Sequence, residues 1–282
     1  MKVKIGLALS GGGVKGAAHI GVLKAFQEHN INFDIVSGTS SGSIVAALYC
    51  MGYTPDEMLK LFNYFSKIVV KNSPTYTNPD GKKVLSINVG GFLSGENIAF
   101  AIKETAKYKH IKNMSEINKK ILIPAVDVDN SKKYVFTNCD LQGSKYIKTV
   151  PIEIAVRASS SYPGVFAPTL YDNHKFVDGG ILDNIPVDEL KNAGADYIIA
   201  VKFELNKDTK VRGVAKVTSK AIDIIFENTS KNETRDANYV LNINTKDVSL
   251  FDIKRKNECY NYGYKQTLLQ IQEIKNKIEE SK

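Results

Sequence analysis

Short apolar runs, glycine-rich turns and stretches of helical period follow one another closely along the first fifty residues. Residues 2–9 read as a strand, 15–29 as a helix, 33–37 as a second strand and 41–51 as a second helix. Two successive βα units predict parallel strands covered by helices. Thr54-Pro55-Asp56-Glu57 is a helix start, with Pro in the first turn and apolar Met58, Leu59, Phe62 and Phe65 behind it. Residues 71–95 carry Pro74, Pro79 and Gly81, have no periodicity, and read as a long irregular segment. Beyond them the pattern predicts a helix at 96–108, a strand at 121–128 with a hairpin partner at 134–137, and a helix at 151–160 stopped before Pro163. A strand at 175–178 meets Gly179-Gly180. A strand at 197–203, a helix at 214–226, a strand at 239–243 and a charged amphipathic helix at 260–278 complete the chain. This is the pattern of an α/β protein, a three-layer α/β/α sandwich with a mainly parallel central sheet.

Composition narrows the picture. At 282 residues and 43% hydrophobic side chains the chain buries a substantial core as one domain. Residues 1–9 imitate a signal peptide, but their apolar run is too short and meets three glycines. No stretch approaches the roughly 18 apolar residues of a membrane span. Cys50, Cys139 and Cys259 are scattered and odd in number, which fits neither a disulfide framework nor a zinc site and points to a reducing cytoplasm. The net charge is +8, and residues 51–150 hold 15 Lys against 9 acidic residues. Spread singly, these lysines read first as a solvated face, with peripheral contact to anionic lipid as the weaker reading. Only Arg157, Arg212, Arg235 and Arg255 supplement the lysines, and no nucleic-acid partner is expected.

The first turn, Ser10-Gly11-Gly12-Gly13-Val14-Lys15-Gly16, formally matches a dinucleotide fingerprint at Gly11, Gly13 and Gly16. That fingerprint requires an acid at the end of the second strand, whereas Asp34 stands at its beginning. A phosphate-binding P-loop fails because Ala17 follows Gly16. A third role suits the glycines better: bare N–H groups at a helix N-terminus, able to approach a developing oxyanion. Lys15, a cation in the first helical turn, opposes the macrodipole; a functional and a merely solvated lysine are equally compatible with the sequence.

The second turn, Gly38-Thr39-Ser40-Ser41-Gly42, is a G-x-S-x-G elbow that would expose Ser40 as a nucleophile. A hydrolase triad needs a histidine after an acid. Of His19, His29, His110 and His174, only His174 follows the candidate acids Asp127, Asp129, Asp140 and Asp172. It lies in the turn-like Tyr-Asp-Asn-His-Lys and reads as a solvent-exposed hairpin tip. His19 and His110 read as structural or surface residues. Asp178-Gly179-Gly180 offers a carboxylate at a strand end, although Asp-Gly taken alone is commonly an Asx turn.

Gly11–Gly16, Gly38–Gly42 and Asp178–Gly180 resemble, in order and spacing, the three signature blocks of the patatin-like phospholipases. Arg157-Ala-Ser-Ser-Ser-Tyr-Pro-Gly-Val-Phe-Ala-Pro168 and Asp183-Asn-Ile-Pro-Val187 resemble that family too. The resemblance places the core motifs at 5–204 and a looser C-terminal strand and helices at 205–282 of a single domain. It implies Ser40 as nucleophile with Asp178 as its base and no histidine. Gly11, Gly12 and Gly13 would form the oxyanion turn, assisted by the Ser41 N–H, with Lys15, Gly16, Gly38, Gly42, Gly179 and Gly180 in support. It also implies hydrolysis of phospholipid or lysophospholipid acyl esters through an acyl-enzyme, with no metal and no organic cofactor. Acyl transfer by the same serine and a vestigial lipid-binding module are the alternatives.

Overall fold

The computed structural model describes residues 3–71, 75–77, 83–85, 93–204 and 214–281. In chain order the strands are β1 (Ile5–Leu9), β2 (Ile35–Gly38), β3 (Thr75–Thr77), β4 (Lys83–Leu85), β5 (Lys120–Asp127), β6 (Lys132–Thr137), β7 (Tyr146–Ile147), β8 (Thr169–Tyr171), β9 (His174–Asp178), β10 (Tyr197–Phe203) and β11 (Tyr239–Ile243). The helices are α1 (Gly16–Glu28), α2 (Ser41–Cys50), α3 (Pro55–Lys71), α4 (Glu96–Tyr108), α5 (Ile152–Ser159), α6 (Val187–Asn192), α7 (Val214–Glu233) and α8 (Lys256–Glu280). Of the irregular 71–95 stretch, β3 and β4 form a small antiparallel pair and Leu93 bridges to Phe166. Its Pro74, Pro79 and Gly81 lie outside the described residues, as do residues 205–213 of the C-terminal remainder.

The main sheet has the order β11-β10-β1-β2-β5-β6-β7. Its first five strands are parallel, as the βα pattern predicts. From β1 the chain moves one way to β2 and β5, and later the other way to β10 and β11. The loops after β1 and β10 therefore diverge, and the glycine turn opens at this switch point.

Strand alternation separates the two faces. Leu7, Leu9, Val36, Ile121, Ile123, Ile199 and Val201 join one large core beneath α1, α2, α5 and α8. Ala8, Ile35, Leu122, Ile198 and Ala200 face the other way, against Val187 and Leu190 of α6. Glycines let α1 and α8 touch backbone to backbone: a Cβ on Gly21 would strike the Tyr260 carbonyl, and one on Gly263 the Ala18 carbonyl.

One irregularity of the sheet builds the site. β2 pairs with β5 only as far as Leu122, because the chain turns off at Gly38. β5 continues, and β9 takes up the edge left free, antiparallel, with Asp178 opposite Ala125. An acid 138 residues downstream of the elbow in sequence thereby arrives beside it. β7, β8 and α6 are too short to carry a periodic signal, and α7 runs on beyond the expected 214–226 to Glu233.

Candidate active site

Ser40 stands between β2 and α2 with φ 53° and ψ −123°, a backbone conformation in which a non-glycine residue is strained. The surroundings hold it there. Its N–H donates to Ser159 Oγ at 3.0 Å, and its carbonyl accepts from Ser43 Oγ at 2.6 Å and Ser160 Oγ at 3.3 Å. Thr39 is tied through its N–H to the Leu9 carbonyl and through Oγ1 to the Asp183 carbonyl. The elbow's glycines are required by contact. A Cβ on Gly38 would meet the Gly42 carbonyl, and one on Gly42 the Leu9 carbonyl. Gly16, Gly179 and Gly180 similarly admit Ser41, the Pro124 carbonyl and the Phe226 ring.

Asp178 is completely buried. Its Oδ1 accepts the Gly180 N–H at 2.9 Å, so the Asx turn anticipated as the alternative does form. Oδ2 is buried without a hydrogen bond among the described residues. Burial raises the carboxyl to about pH 7 on its titration scale, against the opposing influence of the nearby Ser40 hydroxyl and the Gly180 N–H. Ser40 and Asp178 are thus electrostatic neighbours with no hydrogen bond of ordinary length between them.

The glycine turn lies against the elbow, but its three members are not equivalent. The Gly11 N–H is committed to Asn184, at 3.1 Å to Oδ1 and 3.3 Å to the carbonyl. This corrects the expectation that Gly11 presents a free donor. Gly12, Gly13 and Ser41 face a cavity of about 350 Å³, and their N–H groups have no acceptor among the described residues. Gly13, at φ 56°, bends the turn where a Cβ would strike the Leu250 carbonyl.

The cavity is mainly apolar, walled by Leu48, Phe62, Ile98, Ile102, Val165, Phe166 and Phe226 and rimmed by Phe251. Its polar side chains include Ser40, Ser41, Thr105 and Ser160. Among the described residues no group of three or more His, Cys, Asp or Glu side chains is placed to hold a metal.

One open reading is narrowed and one expectation changes. Lys15 is not solvated: it is 7% exposed, and desolvation lowers its pKa despite the partly compensating charge of Asp223. His174 is not a free hairpin tip. Asp172 and Asn173, both at positive φ, make the turn, and His174 begins β9 with Nδ1 2.7 Å from Asp127 Oδ2. An Asp-His pair therefore exists, but His174 sits four residues, about 13 Å of strand, from Asp178. His19 is buried, its Nε2 2.8 Å from the Ser10 carbonyl, and burial lowers it to about pH 4. Residues that the sequence reading passed over are Ser159 and Ser160, which grip Ser40, and Asn184, which grips Gly11. All three lay within the family-like blocks without any local feature to mark their partners.

Residues 7–191 match the sequence pattern of the patatin-like phospholipase family. The chain belongs to that family. It is similar to the lysophospholipase NTE1 of Meyerozyma guilliermondii, 32% identical over 197 residues, a stretch covering 70% of this chain and 12% of that protein. It is also similar to the neuropathy target esterase sws of Drosophila melanogaster, 31% identical over 211 residues, covering 73% of this chain and 13% of the other. The match thus spans about an eighth of the length of these relatives. In fold it resembles VipD from Legionella pneumophila, with a TM-score of 0.53 at 16% identity over 97% of this chain and 67% of that one. The patatin-like α/β sandwich expected from the sequence is therefore the fold of this chain, and no helix among the described residues is long and apolar enough to cross a membrane.

Proposed function

We propose that this chain is a serine acyl hydrolase acting on fatty-acyl esters of phospholipids or lysophospholipids. The observation that carries the reading is a buried carboxyl, raised to about 7 and with one oxygen unbonded, close enough to Ser40 to feel its hydroxyl, while the strained Ser40 lines a mainly apolar cavity. Ser40 Oγ attacks the ester carbonyl carbon while Asp178 takes its proton. The N–H groups of Gly12, Gly13 and Ser41 donate to the developing oxyanion. Asp178 then returns the proton to the departing alcohol, leaving an acyl-enzyme that water hydrolyses by the same route in reverse. A carboxyl titrating near neutrality suits this exchange better than an ordinary aspartate, because it is a stronger base and still releases its proton. The apolar walls suit an acyl chain, and half-exposed Phe251 at the rim is suited to contact with a lipid surface. Peripheral action at a membrane from the cytoplasm accords with three free, buried cysteines. The close packing of α8 on α1 supports treating residues 1–282 as one domain.

The test is labelling with a fluorophosphonate probe followed by mass spectrometry of the modified peptide. Modification of Ser40, lost in Ser40→Ala, is expected; stable labelling at any other serine overturns the assignment.

A further inference from the structure

Arg157 on α5 is 3% exposed and makes no ion pair among the described residues. A guanidinium so deeply buried is costly unless its donors are satisfied in place. Its Nη donors reach three acceptors in two stretches of chain, while Nε is buried without a partner among the described residues. Nη1 donates to Ser161 Oγ at 2.6 Å, and Nη2 donates to the Ala167 carbonyl at 2.6 Å and to the Ser94 carbonyl. The group also lies 5.9 Å from the centre of the Phe166 ring.

The two carbonyl acceptors are the immediate neighbours of cavity-lining residues. Ser94 follows Leu93, and Ala167 follows Phe166; Leu93, Val165 and Phe166 all line the cavity. These two strands of chain are already joined, the Leu93 N–H donating to the Val165 carbonyl at 2.9 Å and the Ala167 N–H to the Leu93 carbonyl at 2.8 Å. Two backbone bonds make a weak strap, and a planar fork reaching both sides fixes its position. Gly95, at φ 73°, leaves room for the guanidinium where a Cβ would collide with it.

We propose that Arg157 is a specificity-determining positioning residue: by pinning the Leu93–Phe166 strap it sets the wall, and so the preferred chain length, of the acyl cavity. It touches no reacting atom. The inference rests on the hydrolase reading only in taking the cavity's natural occupant to be an acyl chain.

The test therefore reads binding as well as turnover. Displacement of a pyrene-labelled fatty acid by octanoate and by palmitate is measured for wild type, Arg157→Gln and Arg157→Lys, alongside hydrolysis of the corresponding p-nitrophenyl esters. Arg157→Gln is expected to change the palmitate-to-octanoate preference by about tenfold, the scale on which an apolar pocket discriminates chain length, with Arg157→Lys between it and wild type. Phe166→Ala, which removes a ring from the strap but leaves all three hydrogen-bond acceptors of Arg157 in place, is expected to move the preference toward the longer chain. A folded Arg157→Gln protein with the wild-type preference, or one weakened equally for both chains, overturns the proposal. If Arg157→Gln does not fold, an unchanged preference in Phe166→Ala overturns it instead. Should wild type bind both acids but hydrolyse neither ester, the hydrolase reading fails while the role of Arg157 is still decided by binding.

Discussion

Strand β9 carries an acid partner at each end, and the two make opposite use of burial. Asp127, paired with Phe176 and bonded to His174 at the start of β9, and Asp178, at its end, are both 0% exposed. Desolvation pushes each carboxyl upward. At Asp127 it is outweighed, because the side chain collects His174 Nδ1 at 2.7 Å, Asn130 Nδ2 at 2.5 Å and the Asp129 N–H at 3.1 Å, and the carboxyl stays below its ordinary range. At Asp178 only the Gly180 N–H and the neighbouring Ser40 hydroxyl oppose burial, and the carboxyl rises to about 7. Asp127 borders the exposed turn at 128–130 while Asp178 lies deeper, so depth of burial and the number of donors together decide whether an aspartate is a fixed anion or a base near neutrality. On the proposed reading the familiar Asp-His pairing is structural, and the under-bonded acid is the chemical candidate.

The largest expected effect separates the two ends. Ser40→Ala and Asp178→Asn should each lower kcat on a soluble short-chain ester by about 10³-fold or more, and the double mutant should be no slower than the worse single, as for groups acting as one unit. His174→Gln should change kcat by less than about twofold. A silent His174→Gln enzyme beside an active Asp178→Asn enzyme would reverse the comparison and restore a triad.

A smaller loss is expected one step away from the acid. Asn184→Ala removes the side-chain acceptor of the Gly11 N–H, leaving only the carbonyl at 3.3 Å, and the donor to Ser230 Oγ at 2.9 Å, loosening the turn that carries Gly12 and Gly13. A decrease of about tenfold in kcat with little change in KM is expected, since the turn acts on the transition state. A change confined to KM would place Asn184 in substrate binding instead.

The third effect is read through pH. The acidic limb of kcat/KM should fall near 7, where Asp178 loses its proton, and should stay in place in all four His→Gln variants. The same shift governs stability with a definite sign. Between its unfolded value of 3.8 and about 7 the native Asp178 holds a proton that the unfolded chain has released, so stability decreases as pH rises through this window. Asp178→Asn should therefore raise Tm over wild type at pH 8, on the order of a few kcal/mol in stability, and lose the advantage near pH 4. Glu233, raised to about 8 by burial and by Asp183, supplies a slope of the same sign that persists in the variant. Equal Tm differences at both pH values would show that Asp178 is not elevated.

By itself the sequence determined the features that are local in the chain. The two opening βα units, the G-x-S-x-G elbow, the glycine turn, the Thr54 helix start and the apolar periodicity of α4 and α8 depend on neighbours within one or two turns of chain, and each appears where its pattern stands. The family-like blocks were legible for the same reason, being contiguous. What only the tertiary structure decided depends on partners far apart in sequence. Gly11 meets Asn184 across 173 residues, Ser40 meets Ser159 across 119, and β9 reaches the elbow only because β2 ends before β5 does. Burial of Lys15 and the capture of His174 by Asp127 are likewise products of packing. A charge or a hydroxyl has the same letter whether solvent or a distant strand satisfies it, and the difference is made by desolvation and donors that arrive only when the sheet closes.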